Sequence, residues 1–86
     1  MKIPAKLQVF DVPVVLTDKD ADRLSPWLAS APKLIAILKG INEPDLMRLV
    51  VLELSNGKRY DVIHRLLARL GRVTRIRIEK RIVKLL

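Results

Sequence analysis

This chain has no cysteine at all. That excludes disulfides, zinc-thiolate sites and thiol nucleophiles, and it fits a reducing, intracellular setting, here read as cytoplasmic. Aromatic residues are nearly as scarce: Phe10, Trp27 and Tyr60 are the whole set. A stacking platform for single strands needs several exposed rings, so the count tells against one. There is one histidine, His64, and the few hydroxyl residues fall mostly at helix starts. A nucleophile needs a base within hydrogen-bond reach, and a metal needs several convergent ligands. No catalytic residue, metal site or cofactor is therefore expected, and the chain is read as no enzyme. Long apolar runs are missing too. Ile35 to Leu38 and Leu49 to Leu52 are far too short for a membrane span. The first residues show neither a secretory signal nor a transit pattern.

What is present is a hydrophobic and strongly basic chain. Half of its 86 residues are hydrophobic and the net charge is +8. The length suits one domain, 1–86, with a modest core near the size where stability becomes marginal. The charge is not evenly spread. Residues 1–57 hold seven Lys/Arg and seven Asp/Glu. Residues 58–86 hold ten Lys/Arg against Asp61 and Glu79, which is the entire surplus. Segregated positive charge attracts an anionic partner or serves as a solvated face.

Residues 1–16 carry Pro4 and Pro13 among β-branched residues and read as an extended arm. An edge strand or a segment lying against a helical core fits equally. Thr17-Asp18-Lys19-Asp20 is a helix start, with Thr17 as cap and acids suited to the helix dipole. Asp18, Asp20 and Asp22 match the opening of a calcium loop. Arg23 stands where that loop needs glycine and Ala29 where it needs a bidentate glutamate, so a solvated helix start is the better account. Ser25-Pro26 and Ser30-Pro32 each read as a cap followed by proline in the first turn. A short turn of helix is expected first, then a helix to Lys39 closed by Gly40, with Leu34, Ile35 and Leu38 as its buried stripe, Trp27 and Leu28 packing beneath, and Trp27 as a core anchor. Asn42-Glu43-Pro44-Asp45 opens another helix. Leu46 to Leu54 is apolar except at Arg48 and Glu53, the pattern of a central helix.

Asn56-Gly57 ends that helix. Flanking residues 50–54 and 59–63 also fit a β-hairpin. The pattern after Gly57 favours a helix, with Tyr60, Ile63, Leu66, Leu67 and Leu70 on one face and Asp61, Arg65, Ala68 and Arg69 on the other. Gly71 is a stop or a kink, and residues 72–86 read as helix in preference to strand. The expected fold is all-α, a small bundle of about four helices with an extended N-terminal arm: neutral hydrophobic helices over 17–57 and basic helices over 58–86.

The basic stripe is the candidate site. Arg65, Arg69 and Arg72 are spaced four and three apart and line up on a continuous helix. Arg77, Arg81 and Lys84 repeat the arrangement. Asp61, one turn before Arg65, is placed to pair with it. Arginine's planar fork matches two phosphate oxygens. Asn and Gln, the usual adenine readers, are absent after Asn56; arginine can read guanine, but the composition points most directly to phosphate contact and shape reading. The expected function is non-enzymatic binding of nucleic acid, duplex DNA first, through Lys58, Arg59, Arg65, Arg69, Arg72, Arg77, Arg81 and Lys84. The alternatives are a solvated face, an acidic protein partner, or an anionic membrane surface. A homo-oligomer is also expected, because residues 46–54 and the apolar face of the C-terminal helix offer more hydrophobic surface than one small monomer covers.

Two resemblances add to this. Gly57-Lys58-Arg59-Tyr60-Asp61-Val62-Ile63-His64-Arg65-Leu66 resembles the second half of SAP-type DNA-binding motifs, in which a glycine and a basic pair precede a helix. The resemblance implies a helix, an extended loop and a second helix on duplex DNA, with Gly57, Lys58, Arg59 and Arg65 as contacts. Here the helix before Gly57 is more apolar, and Ser55-Asn56 is a shorter connector, than in that family. Glu53, Gly57-Lys58-Arg59, Val62-Ile63, Arg65-Leu66 and Arg69-Leu70 are together similar to small phage-encoded helical proteins. That likeness implies a viral accessory or assembly protein, located in host cytoplasm, acting through helix-mediated protein contacts.

Overall fold

The computed structural model describes residue 10 and residues 14–85, with side chains described as far as residue 74 and at residue 76. Four α-helices follow one another: α1 (Asp18–Leu24), α2 (Ala31–Ile37), α3 (Glu43–Ser55) and α4 (Tyr60–Leu85). A 3₁₀ turn, Ser25–Leu28, links α1 to α2, and another, Leu38–Gly40, follows α2. Among the described residues there is no strand. The expected all-α bundle of about four helices is the fold observed, and the hairpin reading of residues 50–63 gives way to a helix–turn–helix. Most of the expected arm lies outside the described residues. Residues 14–16 are irregular and lie along the bundle: Leu16 is buried, Val14 packs on the core, and Arg48 Nε donates to the Val15 carbonyl at 2.9 Å.

Local chemistry accounts for the starts of α1 and α3. The Asp20 N–H donates to Thr17 Oγ1 at 3.0 Å, and the Asp20 carboxylate reaches back to the Thr17 N–H at 3.4 Å. This reciprocal capping box satisfies donors that a helix end leaves open. In α3 the Asp45 N–H donates to Asn42 Oδ1 at 2.9 Å, with Pro44 in the first turn where no amide hydrogen is required. The two serine signals work differently. Ser25 is helical and donates its hydroxyl to the Ala21 carbonyl, so it prolongs α1 as a 3₁₀ turn instead of capping a new helix. Ser30 has the extended backbone of a cap but makes no side-chain cap bond.

The core forms where α3 is covered by its neighbours. Leu46, Leu49, Val50, Val51 and Leu52 of α3 are buried against Leu16, Leu24, Leu34, Ile41, Val62, Leu66 and Leu70. Burying a leucine or valine side chain contributes about 1.5–3 kcal/mol, so this cluster dominates the stability. α2 supplies little to it. Leu34 is buried and Leu38 half-buried, but Ile35, expected inside, is 42% exposed. Ala31 at the start of α2 also packs against the cluster, and the remaining residues of these two turns face outward. Trp27 is half-buried at the edge of the cluster.

α4 also departs from the expected face. Its inward residues are Val62, Leu66 and Leu70, followed by half-buried Val73. Tyr60 and Leu67, expected inside, are 81% and 45% exposed. The helix is rotated relative to the expectation, and Arg59, just before its first turn, is tied to Glu53 and to the Leu28 carbonyl. It also runs through Gly71 without interruption. A Cβ at Gly71 would meet nothing within 4 Å, so no packing demand explains glycine there.

Candidate nucleic-acid interface

Two kinds of charged group are built into this fold. The first kind ties helices together. Asp45 is buried in α3 and accepts from Arg23 of α1 at 2.9 and 3.1 Å and from Arg48 at 2.7 Å. The Arg23 guanidinium, with help from Arg48, holds the Asp45 carboxyl below the usual carboxylate range, against the opposing effect of burial. Asp20 is likewise held low, first by the Thr17 hydroxyl, and also contacts Arg23 at 3.3 Å. Arg23 lies over the Trp27 ring at 5.8 Å. Both arginines of the neutral region are thus committed within it.

A second tie closes the α3–α4 turn. Glu53 is only 2% exposed, and Arg59 Nε donates to its Oε1 at 2.6 Å. Arg59 Nη2 also donates to the Leu28 carbonyl at 2.6 Å. The Glu53 carboxylate occupies the space beside Gly57, where an added Cβ would collide with Oε2. Glycine is therefore needed here for close approach. The left-handed conformation falls instead on Lys58, at φ 53°, whose N–H donates to the Glu53 carbonyl at 2.6 Å. A non-glycine residue in that region carries a cost of about 1–2 kcal/mol. The turn accepts it because the Glu53–Arg59 pair defines the geometry. A cleft of about 200 Å³ opens beside the pair, bordered by Ser25, Leu28, Leu52 and Asn56. The charged groups in its wall are already bound to each other.

The second kind of charge faces solvent. Lys58, Arg65 and Arg72 are exposed, and their side chains make no hydrogen bond or ion pair among the described residues. The expected Asp61–Arg65 pair is not formed. Arg65 and Arg72 lie two turns apart on α4, about 10 Å along the axis, close to the rise of three base steps in a duplex.

The remaining candidates are placed otherwise. Arg69 is half-buried; its Nη2 donates to the Lys39 carbonyl at 3.3 Å and its Nε is buried without a partner. It leans on the turn after α2 and does not stand in line with Arg65 and Arg72. Arg59 is the turn anchor. Arg77, Arg81 and Lys84 lie on the helical backbone of α4, but their side chains are outside the described residues, as are the apolar residues 78, 82, 83, 85 and 86.

One feature of the surface was not anticipated. The Tyr60 and His64 rings stack, with centroids 6.0 Å apart and planes 16° from parallel. Their spacing of four on a helix is the signal for this contact; Tyr60 stands outside the core, not on the inward face expected for it. Among the described residues no group of three His, Cys, Asp or Glu is placed to hold a metal, and no helix is long and apolar enough to cross a membrane. No protein-family model matches the chain, and neither a curated protein nor a solved structure matches it.

Proposed function

We propose that this chain binds nucleic acid without catalysing a reaction on it, chiefly through phosphates, along the outer side of α4. Lys58, Arg65 and Arg72 are the leading contacts. Arg77, Arg81 and Lys84 extend the same helix, and Arg69 joins if its bond to the Lys39 carbonyl is exchanged for a phosphate. Arg59 contributes by holding the turn. The observation behind this reading is that Lys58, Arg65 and Arg72 are exposed and unpaired among the described residues, while Arg23 and Arg48 are bound to Asp45. Cations left without acids neutralise phosphates and release counterions, which is the main source of sequence-independent affinity.

The test is fluorescence anisotropy with a labelled DNA duplex. Arg65→Glu with Arg72→Glu should abolish binding at physiological salt while leaving helicity unchanged. Unchanged affinity would remove these residues from the interface.

A second reading rests on a different observation. Leu67 and Ile76 are exposed on the same helix at 45% and 41%. An assembly protein of viral type would use such positions to meet another helix, from a second copy of this chain or from an acidic protein. A Leu67→Asp variant with unaltered mass in solution and unaltered DNA binding would count against that reading.

A further inference from the structure

Tyr60 is the most exposed of the large hydrophobic side chains among the described residues. An aromatic ring contributes to folding by being buried, and this one is not. Its one ring partner is His64, itself exposed, stacked one turn further along α4. The pair therefore presents a flat unsaturated surface at the start of the helix. Lys58 stands just before it, and Arg65 is adjacent to His64; neither side chain is in an ion pair among the described residues. Asp61, exposed on the same turn, disfavours a phosphate directly over the rings and leaves that space to an uncharged group.

A paired base inside a duplex has both faces occupied by its neighbours. Apart from the outer face of a duplex's terminal pair, which the blunt and the tailed duplex share at their common end, only an unpaired base has a face free to stack on a side chain. We infer that Tyr60, backed by His64, is a stacking step for one unpaired base, with Lys58 and Arg65 on the phosphates to either side. This rests on the proposed nucleic-acid function and sharpens it. The preferred ligand is a duplex that carries a single-stranded end or an unpaired base, with the duplex along α4 and the free base at Tyr60. One aromatic pair serves one base, which agrees with the scarcity of aromatics in the rest of the chain.

The experiment compares a blunt duplex with the same duplex bearing a short single-stranded tail, at one salt concentration. Stacking one base on an aromatic side chain contributes about 1–3 kcal/mol, or roughly fivefold or more in affinity. The wild type should bind the tailed duplex at least about fivefold more tightly. Tyr60→Ala should bring the tailed duplex down to the blunt level, leave the blunt duplex unchanged and keep the salt dependence, since no charge is removed. Tyr60→Phe should retain the preference. Because Tyr60 is outside the core, circular dichroism should show all three proteins equally helical. Equal binding of both duplexes by the wild type would overturn the stacking step alone. So would an equal loss on both ligands in Tyr60→Ala. Failure of the wild type to bind either duplex would overturn the nucleic-acid reading, and this inference with it.

Discussion

Arg48 and Arg65 are the same residue on neighbouring helices of one small bundle, yet they are used in opposite ways. Arg48 is bound to Asp45 and to the Val15 carbonyl. Arg65 is exposed and paired with nothing among the described residues. The difference lies in where acids fall. α1 and the first turn of α3 each carry acids, and folding brings them to face Arg23 and Arg48 across the helix interface. From residue 58 onward there are two acids for ten cations, so most of those cations cannot be satisfied within their own segment. In the first region both arginines hold the fold, while Lys19, Lys33 and Lys39 stay exposed and scattered through a segment with as many acids as cations. In the second region most of the charge remains available to a partner.

The sharpest way to break this comparison is to move a charge across it. Arg59 belongs to the basic segment by sequence and to the fold by contact. Arg59→Ala leaves the Glu53 carboxylate buried without its partner, which costs about 3–5 kcal/mol in comparable buried pairs. Part of Arg59 is solvent-accessible, so the lower end is expected, read as a lower urea midpoint. Glu53→Leu combined with Arg59→Met should recover most of that loss. If Arg59→Ala is as stable as the wild type, the pair is not what holds the α3–α4 turn.

The next prediction concerns pH. Asp45 is held below its unfolded value of about 3.9. Its contribution is fully present above that value and is lost as pH falls through the lower, folded value. Asp20 acts in the same direction. Acid unfolding followed by circular dichroism should therefore steepen below pH ~4. In Asp45→Asn the protein should be less stable at neutral pH and less sensitive to acid. A variant with undiminished acid sensitivity would show that the α1–α3 network is not its source.

Smaller effects come from α4. Gly71→Ala places a methyl group in open space within a continuous helix and should raise stability by about 0.5–1 kcal/mol. Destabilisation would imply that α4 is interrupted at that point. Replacing Arg65 and Arg72 by Gln should change stability by no more than about 0.5 kcal/mol, the range for surface positions without partners.

How much of this was readable beforehand follows from the distance over which each feature is decided. The caps at Thr17 and Asn42 depend on residues three positions away, and they were legible. So were the central role of α3 and the unequal division of charge. The face that α4 presents was not: the residue just before its first turn, Arg59, is tied to Glu53 and to the Leu28 carbonyl, 31 residues away in sequence. Gly57 was legible as a turn, but its reason was not: it makes room for a carboxylate, while Lys58 takes the left-handed conformation. Arg69 looked equivalent to Arg65 and Arg72 on a helical wheel. Only the packing of the turn after α2 draws it aside.

The central claim is that the unpaired cations of α4 form a working phosphate footprint. The most direct measurement is the affinity for a DNA duplex across a range of salt concentrations. Each phosphate neutralised contributes about −0.9 to the slope of log affinity against log salt. The account predicts a saturable complex with a slope of roughly −4 to −6, made shallower by about 1.8 when Arg65 and Arg72 are both replaced by Gln. No binding at physiological salt, or the same slope in the variant as in the wild type, would contradict it.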